Sequence, residues 1–543
     1  MAAFSACERS GRWLAVVGIL ALGACSSSGQ DDSGGPTEPP EVTVSPAPAP
    51  SPIATEVPGR PDDLVPPEVS TFADDWPLPG RDYRNSRATT NSTIDSSTVA
   101  SLGIAWEVPL PGSGAYGNAS TTPLVFGDSV YIQDLSSNVT AIVRTTGAVR
   151  WKREFNRFVI GPNGVAVGWG LLYGVEGTDD LFALNLVDGT EVWRRRLTRT
   201  NTDGVDIQPT VFARKVYAST VPVSLQGIYA GGDRGILQAR DVESGTIAWE
   251  FDTIASDDIW GEPDVNSGGG SWFPPAIDVD SRRMFWGVAN PAPFPGTPDF
   301  PNGSSRPGPN LYTNSILTLS ATNGAMQWYH QVTPHDLFDR DLIHTLLVDV
   351  EIDDETSTCV VGTGKAGLVL GLDPETGEVL WETPVGRHEN DDLLELDGPT
   401  EVWPGTYGGV LTPPSAADGV VYVATLNAPN RLEPDRPSYI GSELGTAPGQ
   451  IIAIGADDGR ILWDVEVDGD PLGGTTVVND LVFTATFQGR IYALDRATGD
   501  VVHTIEAPGG INGWPAVVGD DLLWPVGLAN PPRLVAYRIG AGS

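Results

Sequence analysis

Cysteine is nearly absent. Only Cys7, Cys25 and Cys359 occur in 543 residues, which leaves no disulfide framework to hold a fold together. No Cys-x-x-Cys-His run exists, so the chain carries no c-type haem of its own. Basic residues are also scarce: 32 Lys and Arg stand against 70 Asp and Glu, for a net charge of −38. That balance excludes nucleic acid as a partner, because neutralising phosphates requires clustered Lys and Arg. Beyond the N-terminus no apolar run is long enough to span a bilayer. Apolar residues make up 40% of the chain, enough for a large core. Length alone suggests about three or four domains, an inference that internal repeats would overturn.

Residues 1–25 read as an export signal. Arg9 and Arg12 supply positive charge, and Trp13 to Leu22 a short apolar stretch. Leu22-Gly23-Ala24-Cys25 resembles the lipobox of bacterial lipoproteins, which implies cleavage before Cys25 and lipid on its sulfur. Such an anchor, at the outer face of the cell membrane or in the periplasm, would be the only membrane attachment. Residues 26–70 are rich in Pro, Ser, Gly and acidic side chains, as in Ser45-Pro46-Ala47-Pro48-Ala49-Pro50. This composition buries too little apolar surface to offset ordering entropy, so it reads as an extended tether.

From residue 100 onward one unit recurs: two short β-rich runs, then a turn ending in Gly with Trp four residues later. The clearest copy is Gly371-Leu372-Asp373-Pro374-Glu375-Thr376-Gly377-Glu378-Val379-Leu380-Trp381. The same step occurs at Gly147/Trp151, Gly189/Trp193, Gly245/Trp249, Gly324/Trp328 and Gly459/Trp463, and Gly499 is followed by His503. Asp and Thr favour the tight turn, Gly supplies positive φ, and alternation then buries the Trp. A four-stranded sheet cannot bury both faces alone, and radial stacking of such sheets solves that problem. An orphan strand, Leu102-Gly103-Ile104-Ala105-Trp106-Glu107-Val108, precedes the first full unit, and residues 511–540 lack their outer strand. Joining the two closes a ring. The expectation is an all-β, eight-bladed β-propeller of four-stranded antiparallel blades over residues 71–543, its last blade completed by the N-terminal strand. Insertions at about 253–270, 294–312, 385–407 and 426–448 are the long loops where function usually sits.

One stretch is more specific than the repeat. It contains Gly268-Gly269-Gly270-Ser271-Trp272, then Gly287-Val288-Ala289-Asn290-Pro291-Ala292-Pro293-Phe294, Arg306-Pro307-Gly308-Pro309-Asn310-Leu311-Tyr312-Thr313, and Thr333-Pro334-His335-Asp336-Leu337-Phe338-Asp339-Arg340-Asp341. It closely resembles the quinoprotein alcohol dehydrogenases, which hold pyrroloquinoline quinone (PQQ) and a metal ion inside an eight-bladed propeller. The resemblance covers roughly residues 74 to 535, and Asp75-Trp76 with Asn85-Ser86-Arg87 looks like that family's leading segment. It implies that the quinone stacks on Trp272, and that Asn290, Asp339 and Asp341 ligate calcium or a lanthanide. Asp339 would take the substrate hydroxyl proton, and Lys365 would sit beside the quinone oxygens. Gly408 and Gly409 would join the cofactor-binding set. The chemistry is coherent: an indole face suits a planar ring, a hard cation takes oxygen ligands, and a carboxylate can act as base.

The chain also departs from the family pattern. The place of a glutamate metal ligand aligns with Ser224 or Ala230, and a vicinal cysteine pair is missing near Asn163-Gly164. An arginine that holds a cofactor carboxylate aligns with Trp169, a threonine with Asp206, and a pocket glutamate with Ser120. PQQ is a tricarboxylate, so these losses fall on the residues that grip it, and Arg234, Arg340 or the insertion at 222–231 would have to compensate. Without the resemblance, Trp272 reads as a core aromatic, Asn290-Pro291 as a turn, and Asp339 and Asp341 as capping or solvated carboxylates. His335, His344 and Cys359 read as structural. Two functional readings follow. One is a cell-envelope dehydrogenase that oxidises an alcohol or sugar and passes electrons to a separate acceptor. The other is a non-catalytic propeller serving as a binding or assembly scaffold.

Overall fold

The computed structural model describes residues 64–111, 116–200, 202–222, 231–352, 355–437 and 444–541. The export signal with Cys25, nearly all of the tether, and both Ser224 and Ala230 lie outside the described residues.

Eight four-stranded antiparallel blades follow one another around a ring. Blade 1 covers residues 124–153, blade 2 165–196, blade 3 210–252 and blade 4 276–331. Blade 5 covers 342–384, blade 6 415–467 and blade 7 476–506. Blade 8 takes three strands from 516–539 and its outer strand from Leu102–Pro109. That outer strand pairs antiparallel with Arg533–Ile539, from Leu102 opposite Ile539 to Pro109 opposite Arg533. The ring therefore closes by joining the two ends of the repeat region.

The Gly-Trp step acts across the seams between blades. The Trp indole N–H of each blade donates to a backbone carbonyl in the next: Trp106 to Arg144, Trp151 to Leu186, Trp193 to Val242 and Trp249 to Ala321. Trp328 donates likewise to Pro374, Trp381 to Ala456 and Trp463 to Arg496. The glycine in that next blade's turn lies flat against the same ring, and any added Cβ would overlap it, as at Gly377 under Trp328. These seven glycines have φ between 67° and 79°, a region that only glycine occupies without strain. The Trp and Gly of one repeat thus serve two different seams. The seam between blades 7 and 8 has His503 in place of the indole.

The leading segment closes one end of the axis. Trp76 exchanges backbone hydrogen bonds with Val125, and Ala88–Thr89 adds a parallel strand to blade 7. The Arg87 guanidinium is buried and donates to Pro79 O, Thr122 Oγ1, Thr475 O, Thr476 Oγ1 and Pro515 O, tying blades 1, 7 and 8 together. Five donors matched by five acceptors make this charge tolerable in the interior.

Folded structure extends into residues that composition assigns to the tether. Residues 64–71 dock on blades 2 and 3. Leu64 O accepts from Ala213 N, the Glu68 carboxylate accepts from Trp169 N and Gly170 N, and Val69 is buried. Residues 64–70, assigned by composition to the tether, are thus docked on the blades, because Glu68 finds two backbone donors that composition cannot reveal. No helix among the described residues is long and apolar enough to cross a membrane.

Candidate active site

At the other end of the axis lies a cavity of about 250 Å³. Its aromatic floor includes Trp272, Phe273 and Trp514. Phe273 and Trp514, with ring centroids 5.3 Å apart, also roof a second cavity of about 40 Å³ above Arg87 and His344. Two aromatic rings thus separate the upper cavity from the plugged end.

Three consecutive glycines place Trp272. Gly268, Gly269 and Gly270 all have positive φ, and an added Cβ at Gly270 would overlap Thr220 O. The chain can therefore squeeze between blade 3 and the segment Asn290–Ala292. Ser267 pairs with Ala292, Gly268 with Pro291, and Gly269 N donates to Asn290 O. The eighteen residues from Trp272 to Asn290 hold the first two strands of blade 4, and this pairing returns the chain beside its own start.

The loop between blades 4 and 5 places Asp339. The buried Asp336 carboxylate accepts from Phe338 N and Arg340 N at 2.7 Å and from Asn314 Nδ2 at 2.9 Å. Leu337 and Phe338 anchor the loop in an apolar cluster with Leu396, Val402 and Leu432. So clamped, Asp339 takes φ +64°, an uncommon value for a non-glycine residue that a rigid surround must impose. Lys365 follows the second strand of blade 5, and its N–H donates to Asp341 O.

Charge converges here. The Lys365 ammonium lies 3.1 and 3.2 Å from the two Asp339 oxygens and 2.6 Å from Asp341 Oδ2. Asp341 Oδ1 accepts from Asn290 N at 2.6 Å. Lys365 Nζ also stands 4.8 Å from the centroid of the Trp272 ring, within cation–π range. Burial raises the Asp339 carboxyl to about 8; Lys365 pulls it down, while Asp341 and Asp336 push it further up. Burial works against the Lys365 ammonium, but Asp339 and Asp341 outweigh it and hold its pKa above the ordinary value.

Trp272, Asp339 and Lys365 all line the cavity. Asn290 and Asp341, both buried, stand directly behind them. Gly408 and Gly409 are not on the wall: an added Cβ at Gly409 would overlap Lys365 O, so Gly409 backs the lysine, while Gly408 packs against Pro404, Gly405 and Ala428. On the side of blades 1 to 3, Ser120, Gly161, Pro162, Asp206 and Pro222 line the cavity, but Trp169 does not. Trp169 lies in an outer turn under the Arg214 guanidinium. Arg234 and Arg340 do not compensate for it. Arg234 is engaged by Asp252, Ser256 O and Asp257 O, and Arg340 is 3.5 Å from Asp391. His335 bonds backbone carbonyls, and Cys359 is buried in a strand.

The sequence reading missed Trp514, Tyr116, Tyr407, Thr406 and Asn512. The hydroxyls of Tyr116 and Tyr407 meet at 2.7 Å, bringing together positions 291 residues apart. Trp514 carried only a weak signal: it follows Gly510 at the repeat's four-residue offset, yet lies before the first strand of its blade and not in the outer one.

The donor set fits a hard cation. Two carboxylates lie together with the Lys365 ammonium between them, and Asn290 joins them through its backbone N–H to Asp341 while its side-chain amide N–H donates to Pro291 O. The indole floor fits a planar aromatic ring. Among the described residues no three His, Cys, Asp or Glu side chains form a metal-holding group. Asn290 would have to serve with Asp339 and Asp341.

The family model described as the glucose/ethanol/alcohol dehydrogenase β-propeller domain matches residues 200–392. A second model, outer membrane protein assembly factor BamB, matches residues 447–529. Among characterised relatives, the putative dehydrogenase XoxF of Paracoccus denitrificans is 26% identical over 520 residues, covering 81% of this chain and 84% of its own. The quinohemoprotein alcohol dehydrogenase of Comamonas testosteroni is 26% identical, covering 80% of this chain and 69% of its own. The lanthanide-dependent methanol dehydrogenase of Methylorubrum extorquens is 25% identical, with 80% and 82% coverage. In three dimensions the Comamonas enzyme superposes with a TM-score of 0.74 at 22% identity, covering 87% of this chain and 81% of its own. A europium-containing methanol dehydrogenase superposes at 0.73 and 19% identity, covering 87% and 99%.

Proposed function

We propose that this chain, similar over most of its length to the PQQ-dependent alcohol dehydrogenases, oxidises an alcohol or sugar in the cell envelope, using PQQ with calcium or a lanthanide. It is anchored by lipid on Cys25 and passes electrons to a separate acceptor. The observation that carries this reading is the meeting of the Asp339 carboxylate, the Lys365 ammonium and the Trp272 face in one cavity. When bound, the quinone supplies the two-electron acceptor and the metal a Lewis acid.

The protein's own residues supply the rest. Trp272 floors the quinone plane. Asp339 accepts the substrate hydroxyl proton on a carboxylate oxygen. Burial raises its pKa above the usual carboxylate range, which strengthens it as a base. Asp341 and Asn290 would hold the metal together with Asp339, and Asp341 also fixes Lys365 through the 2.6 Å contact. Phe273, Phe294, Leu411, Leu472 and Trp514 keep bulk water from the reacting atoms.

The test is reconstitution of the purified full chain with PQQ, and with calcium or lanthanum, in the presence of an artificial electron acceptor and a panel of alcohols and sugars. Acceptor reduction should need both additions. No reduction by any alcohol or sugar, with no quinone absorbance retained, would overturn the proposal. The scaffold reading draws on the assembly-factor match at residues 447–529. It would be preferred if Asp339→Asn left cellular function intact.

A further inference from the structure

The wall from blades 1 to 3 poses a problem of charge. Among the described residues that line the cavity, Lys365 is the only lysine or arginine, and it is already shared between Asp339 and Asp341. The early-blade wall instead carries Ser120 and the acid Asp206, where a tricarboxylate cofactor needs donors. Asp206 is 2% exposed and flanked by Val205 and Ile207, both fully buried. Its Oδ1 accepts from Gly161 N at 2.7 Å, and it forms no ion pair with any described residue. An ionised Asp206 would repel an anionic ligand at close range, whereas a protonated one presents a hydroxyl donor.

Resting on the functional reading above, we propose that Asp206 in its protonated form is the donor that holds a cofactor carboxylate at this wall, so that acid strengthens cofactor retention. Geometry gives three reasons. The residue faces the ligand cavity, one oxygen is already committed to the Gly161 amide, and no cation stands by to stabilise its anion. Burial also pushes its carboxyl well above the usual range, opposed only by the Gly161 bond. The neighbouring ionisable groups are engaged elsewhere. On its own segment, Asp203 accepts from Arg199 N and Thr200 N. From blade 1, Asp134 holds Ser136 and Asn138. From blade 3, Asp233 accepts from the Thr200 hydroxyl. Across the cavity stand Tyr116 bonded to Tyr407, and Asp339 bonded to Lys365. The sign follows: the donor is present below the Asp206 pKa, and affinity is lost as pH rises through it.

The experiment measures PQQ binding to the full chain loaded with calcium or lanthanum, by quenching of tryptophan fluorescence, from about pH 5 to about pH 9. Asp206→Asn is the paired variant, since its amide donates at every pH. Wild-type affinity should fall about tenfold per pH unit above the titration, while Asp206→Asn stays tight and lacks that component. Superimposable pH profiles for the two proteins would overturn the assignment of Asp206 and leave the dehydrogenase reading standing. Failure of both to bind the quinone at any pH with either metal would overturn both. Infrared difference spectroscopy on the wild type keeps the proposal testable if the variant misfolds. A protonated-carboxyl band at neutral pH should shift on PQQ addition, and its absence would overturn the proposal.

Discussion

The two sides of the cavity are built on opposite electrostatic principles. On the side of blades 4 and 5, every charge has a partner: Lys365 with Asp339 and Asp341, Asp341 with Asn290 N, and Asp336 with three N–H donors. On the side of blades 1 to 3, the described residues lining the cavity include one carboxyl, Asp206, with a single backbone donor and no counter-ion among them. The difference teaches that the reacting end and the gripping end of such a site are separable. The first needs preorganised charge, which a rigid loop and a glycine-lined strand supply. The second needs only donors, and neutral groups can supply them. The comparison is broken most sharply by exchanging what each side does.

The largest effect is expected from Asp339→Asn. Removing the base should lower kcat about 10²- to 10⁴-fold in the reconstituted enzyme, whereas Asp206→Asn should change cofactor affinity and leave kcat with saturating PQQ near wild type. Steady-state kinetics on the two variants, each saturated with PQQ, check this. If Asp206→Asn lost kcat to the same extent, the two sides would not be separable.

Stability should divide the same way. Lys365→Met leaves Asp339 and Asp341 buried without their cation, and breaking a buried pair by removing one partner typically costs about 3–5 kcal/mol. Denaturant melts of the metal-free protein should show that loss, and added calcium or lanthanum should restore part of it. An unchanged midpoint would mean that the carboxylates are protonated together and that the wall is not held by charge.

Much of this was legible in the sequence because it is local. The Gly-Trp step fixed the number of blades, and the strand at Leu102–Pro109 foretold the closure. The eighteen residues from Trp272 to Asn290 turned out to hold the first two strands of blade 4, closed by one strand pairing of Ser267–Gly268 with Pro291–Ala292. What stayed hidden depends on the third dimension. The Gly and Trp of a repeat read as one unit, yet stacking assigns them to different seams. Tyr116 and Tyr407 meet only because blades 1 and 6 share an axis, and no pattern near either residue announces it. Trp169 was aligned to a cofactor clamp, but a turn held by Glu68 carries it outside the cavity. Arg234 and Arg340 were candidate substitutes by charge alone, and each had a nearer acidic partner.

The smallest effect concerns the floor on which both sides stand. His344 lies beneath it, 4.2 Å from the Phe273 ring, with Arg87 nearby. Burial lowers its pKa to about 3 from 6.5, helped by Arg87 and opposed by a backbone bond with Leu411, so the folded protein holds it neutral. Below about pH 6.5 the unfolded chain takes up a proton that the folded chain refuses. Stability conferred by the neutral ring is therefore complete above pH 6.5 and drains away as pH falls towards 3, by at most about 1.4 kcal/mol per pH unit. His344→Phe keeps an aromatic ring against Phe273 and has nothing to titrate. Its acid-induced loss of stability should be shallower than that of the wild type over this window, with little difference at pH 8, as read from denaturant midpoints across pH. Parallel curves would place the acid sensitivity elsewhere, and the floor would then be indifferent to the proton that the Asp206 side is built to keep.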